Sequence, residues 1–138
     1  MKQLATLCLA LAALLAGCAT APPPLAESGA AGVWGESAAD CQDNPHTISF
    51  SSQGDVMYVR YLQGGTADGE QLEESFSYQV LGRRPSGLRL ALVGESRKDA
   101  AGQPVTWELR QADRNSYCWW RSDWPASECT VPRTRCGL

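Results

Sequence analysis

The chain has a single histidine, His46, and no two cysteines within a few residues of each other. Zinc sites usually combine a close cysteine pair with histidines or a second pair, so no metal and no cofactor is expected. His46 follows Pro45 in what reads as a loop, and a solvated ring is expected there. Without a histidine partner the serines do not suggest a Ser-His-Asp triad. Glu73 and Glu74 are adjacent, so on a strand they point to opposite faces and cannot form a glycosidase pair. Gly64-Gly65 lacks the lysine and following helix of a phosphate loop. There is no excess of positive charge: the formal net charge is −3, which argues against a nucleic-acid partner.

The chain opens Met1-Lys2-Gln3, and from Leu4 to Ala16 only Thr6 and Cys8 are neither Leu nor Ala. As a helix this run would measure about 20 Å, short of the roughly 30 Å hydrocarbon core of a membrane. A positive start, a short apolar run and small residues before a cut site read as a secretory signal. The run ends Leu15-Ala16-Gly17-Cys18, which resembles the lipobox of bacterial lipoproteins. That resemblance implies a signal peptide over residues 1–17 and diacylglycerol on the Cys18 thiol. It also implies cleavage before Cys18 and acylation, for instance by palmitate, of the new amine. Two or more chains give stable membrane anchoring. Ala19 stands where an Asp would mark inner-membrane retention, so the resemblance implies the outer membrane, facing the periplasm. Residues 18–32, with Pro22-Pro23-Pro24, read as a semi-rigid tether.

Residues 33–138 are then one small domain. Lys2 leaves with the signal, which takes the net charge from −3 to −4. Acids dominate residues 27–80, where Arg60 is the lone base, and bases dominate 81–138. Either antiparallel neighbours interleave these signs, or the surface has an acidic and a basic region. With Cys8 removed and Cys18 acylated, Cys41, Cys118, Cys129 and Cys136 remain, an even set in an oxidising compartment. Two disulfides are expected. Three pairings are possible, and Cys118–Cys129 with Cys41–Cys136 is preferred.

Strand patterns and turns alternate along the domain, with no convincing helix. Thr47 to Ser51, Val56 to Leu62, Ser75 to Val80, Leu88 to Val93, Val105 to Arg110 and Tyr117 to Arg121 read as strands. A last short one is expected around Cys129 to Val131. Gly94 is expected to mark a bulge or bend, and Glu95 and Arg97 share a strand face and can pair. The reading is all-β: an antiparallel meander of about six to eight strands. With no helix to cover its apolar face, it curls into a small barrel or half-barrel, with a sandwich as the alternative. Gly32-Val33-Trp34 resembles the Gly-x-Trp that opens lipocalins, where the Trp plugs one barrel end and a late Arg packs on it. More broadly the chain resembles small envelope β-barrel lipoproteins, some of which inhibit lysozyme or proteases.

The densest feature is Tyr117-Cys118-Trp119-Trp120-Arg121-Ser122-Asp123-Trp124. In a strand Tyr117, Trp119 and Arg121 share one face and Trp120 the other. Trp119 is expected in the core, with Trp120, Arg121 and Trp124 forming an aromatic surface patch that binds a partner. The expected role is a non-catalytic binding or inhibitory module at the membrane, its partner an envelope protein, a secreted hydrolase or a glycan. A structural or assembly factor of an outer-membrane complex is the second reading, and an enzyme the third. Only an open barrel interior would favour a small ligand.

Overall fold

In the computed structural model, residues 29–63 and 72–137 are described. The signal region, Cys18, most of the tether and the Gly64–Gly69 loop lie outside them, as does the Glu73 side chain. Eight strands form a closed antiparallel barrel in which each strand pairs with the next in sequence and the last with the first. They are β1 (Gly32–Gly35), β2 (His46–Phe50), β3 (Val56–Gln63), β4 (Leu72–Arg84), β5 (Gly87–Leu92), β6 (Trp107–Asp113), β7 (Ser116–Arg121) and β8 (Arg133–Arg135). The strands that periodicity marks out are all present. The expected last strand is displaced, because residues 129–131 are irregular and the seam is made by β8. One short helix, α1 (Asp40–Asp43), was not expected from the sequence.

Alternation fills the barrel. Ile48, Met57, Val59, Leu88, Leu90 and Leu109 point inward and are buried, each burial worth roughly 1.5–3 kcal/mol. Bulges fall at Val80/Gly82 and Gln111/Asp113. Gly94 instead lies in the turn after β5, which ends at Leu92. Because neighbours in sequence are neighbours in space, the charge asymmetry is not interleaved away. The acid-rich part of the chain builds β1 to β3 and most of β4, and the base-rich part builds β5 to β8.

The barrel is blind at one end. The turns after β2, β4 and β6 lie there, together with residues 29–31. Ala30 is fully buried, so the folded unit starts before the expected boundary at residue 33. Trp34 is 0% exposed, and its indole N–H donates to the Ala30 carbonyl at 2.9 Å. The Arg135 guanidinium lies over the Trp34 ring at 4.2 Å and donates to the carbonyls of Gly29, Ala31 and Arg114. Gly32 makes room for it: a Cβ there would fall on that guanidinium. Arg135, late in the chain, is thus the arginine that packs on the Trp of Gly32-Val33-Trp34.

Two disulfides, Cys41–Cys136 and Cys118–Cys129, close the structure in the preferred pairing. The first ties α1 against β1 and the end of β8. Gly35 permits this approach, since a Cβ would lie 2.9 Å from the Cys41 backbone nitrogen.

Candidate functional site

The opposite end of the barrel is open. Odd-numbered strands finish there and even-numbered ones begin, and the inward side chains at that level do not fill the bore. They line a cup of about 1280 Å³. Its walls are aromatic: Tyr61, Phe76, Tyr78, Trp107, Trp119 and Trp124, with Leu92. An unbroken series of edge-to-face ring contacts rises from the blind end to the rim. It runs from Trp34 to Tyr117 at 4.8 Å, then to Trp119 at 5.9 Å, Trp107 at 6.0 Å and Trp124 at 6.1 Å. Such pairs contribute about 0.5–1.5 kcal/mol each beyond area burial. Tyr78 stacks on Trp119 at 5.3 Å and so holds the wall from the β4 side.

His46 sits in the cup wall near its floor. The expected solvated loop ring is a misreading: His46 opens β2, shares the inward face with Ile48, and is 2% exposed. Its Nε2 is hydrogen-bonded to the Tyr117 hydroxyl, and its ring stacks on Tyr61 at 5.0 Å. Burial, with a contribution from nearby Arg133, lowers its pKa to about 4, so the ring is neutral at physiological pH. The alternation of His46, Ile48 and Phe50 was the available signal, and Pro45 masked it. Burial likewise raises the phenol pKa values of Tyr78 and Tyr117.

The rim is polar. Arg97 grips Glu95 through two bonds of 2.7 and 2.9 Å, and Trp107 donates its indole N–H to the same carboxylate at 3.1 Å. The Arg97 bonds are the main cause that holds the Glu95 pKa down at about 2. This is the anticipated pair, though in the loop after β5 rather than on a strand face. Arg133 reaches Glu36 at 2.6 Å.

The three residues expected to form one patch are distributed between two surfaces. Trp119 is in the core and Trp120 outside, as parity requires. Trp120 is half-buried on the outer wall. Arg110 covers its ring at 4.4 Å, and its indole N–H donates to the Pro125 carbonyl at 2.9 Å. Beside it Glu108, 7% exposed, takes Arg84 at 3.1 Å and Arg110 at 3.0 Å. Arg121 faces the other way, because it shares the parity of Trp119. It pairs with Asp123 at 2.5 and 3.0 Å and lies over Trp107 and Trp124 at the rim. Arg121 and Trp124 thus belong to the surroundings of the cup, and Trp120 to a polar cluster on the outer wall.

Among the described residues no group of three or more His, Cys, Asp or Glu side chains is placed to hold a metal ion. The chain matches no family model, no curated protein and no solved structure.

Proposed function

We propose that this chain is an envelope lipoprotein, acylated at Cys18 and held at the outer membrane, whose barrel binds a small apolar ligand from the periplasm without transforming it. The observation that carries this reading is the aromatic-lined cup of about 1280 Å³, open at one end of an otherwise packed barrel. Ligand sites are typically concave and combine apolar walls with polar groups, and this cup has aromatic walls below a strongly polar rim. Gly29, the first described residue, is bonded to Gln111 and Arg135 at the blind end. A tether leaving from there would put the blind end toward the membrane and the mouth toward the periplasm.

The test is uptake of a neutral fluorescent naphthylamine by the Cys18→Ser full chain, compared with the same chain carrying Leu92→Trp, which narrows the cup. Saturable uptake that Leu92→Trp weakens supports the reading, and equal uptake by both chains sinks it. Mass spectrometry of the unaltered protein tests the anchor separately, since an unmodified Cys18 would remove it.

A further inference from the structure

The mouth of the cup has more carboxylates than its cations can match, and this bears on what kind of ligand it takes. The inference rests on the cup being a ligand site. On the β5–β7 side, Arg97 stands against Glu95 and Arg121 against Asp123, each through two hydrogen bonds. Both guanidiniums also lie over Trp107, at 5.3 and 5.5 Å, so that wall is neutralised and its outer ring occupied. On the β1–β4 side, Arg133 stands against Glu36. Beyond these pairs the described lining contains Asp40, Asp43 and Glu74, and no further Arg or Lys. Among the described residues the mouth therefore has a formal excess of three negative charges, all on one wall.

That wall also has open aromatic character. Tyr61 and Phe76 meet edge to face at 6.0 Å beneath it. Both Glu74 and Glu36 act electrostatically on the Tyr61 phenol, adding to the rise in pKa that burial causes and Arg133 opposes. Carboxylates and ring faces attract the same partner. A cation gains from both, and an anion meets repulsion with no unmatched guanidinium to receive it.

We infer that the cup is selective for a hydrophobic cation: an apolar or aromatic body seated against Tyr61 and Phe76, carrying an ammonium or amidinium group that faces Glu74, Asp40 and Asp43. The neutral floor fits the inference, since His46 places no charge beneath the apolar body.

The experiment compares three ligands with one decyl chain and different heads, below their micellar concentrations, on the Cys18→Ser full chain. They are decyltrimethylammonium, decanol and decyl sulfate, each read by displacement of the neutral naphthylamine and by tryptophan fluorescence. At low salt the cation should bind about five- to tenfold more tightly than decanol, the size expected from three partly screened charges at a distance of 8–10 Å, and the anion more weakly than decanol by a similar factor. The cation's advantage over decanol should fall in high salt and in Asp43→Asn/Glu74→Gln. Equal affinity for all three heads, or a cation advantage that survives the double variant, overturns the inference and leaves the cup reading standing. Failure of all three ligands to bind, or equal binding by Leu92→Trp, overturns both.

Discussion

The two ends of this barrel are built from the same alternating strands and end in opposite ways. At the blind end Trp34, Ala30 and Arg135 seal the bore with stacked and hydrogen-bonded groups, and the Trp34 ring is fully buried. At the mouth the inward side chains are equally large and aromatic, yet they stand around a space of about 1280 Å³. The difference does not come from residue size. At the blind end one tryptophan crosses the bore and an arginine from the closing strand locks over it. At the mouth, rings stack on one another along the wall of an open cup. Ring contacts along a wall keep a cavity open, while a ring across the axis closes one. The blind end should therefore hold most of the stability and the mouth most of the binding.

The largest expected effect comes from cutting the link between the two ends. Cys41 lies in the rim helix and Cys136 follows Arg135 of the seal, 95 positions apart in sequence. Replacing both with serine should cost about 4–5 kcal/mol on the chain-entropy model, measured by urea unfolding. A loss below about 1 kcal/mol would mean that the ends hold together without it. Next, Trp34→Ala should cost about 3–5 kcal/mol as a core truncation, whereas Trp124→Ala at the rim should cost much less. Equal losses at the two positions would erase the distinction between seal and wall.

A third effect sits at the boundary between the two regions. His46 has a folded pKa of about 4 against an ordinary value of 6.5. Between those values the unfolded chain binds the proton and the folded chain does not. Stability should therefore be complete above pH 6.5 and fall by about 3 kcal/mol as pH drops toward 4. Urea midpoints across that window should slope in the wild type and flatten at this step in His46→Gln. A slope that survives the substitution assigns the effect to another group. The smallest stability effect belongs to Trp124→Ala, expected to cost under about 1 kcal/mol while weakening ligand uptake clearly. Unchanged uptake would remove Trp124 from the site.

Much of the architecture was legible because it depends on parity. Trp119 inward and Trp120 outward follow from a period of two, and so do the inward Leu88, Leu90 and Leu92. The disulfides were legible because the even cysteine set includes one short span and one pair near the two ends of the meander. The cup was not legible, since periodicity says which face is inside but not whether the inside is filled. That depends on rings from β4, β6 and β7 leaning on one another across the wall. Nor was the capping of Trp120, where Arg110 and the buried Glu108 turn an outward indole into part of a polar cluster. His46 was misread because the turn signal of Pro45 outweighed one more step of a strand alternation.

The seam between β8 and β1 has a consequence for the order of events during folding. β8 meets each neighbour through only two residue pairs, and it brings Arg135 to the seal and Cys136 to the disulfide. The other strands pair with the strand just made, so hairpins can form as the chain emerges. The circle cannot close until residue 136 is free. A chain cut short before Arg133 loses the closing strand, the cover over Trp34 and the long covalent loop together, and leaves a curled sheet with two open edges. Unpaired edges are the feature through which sheets aggregate. Closure of this barrel thus requires a chain delivered through its last strand.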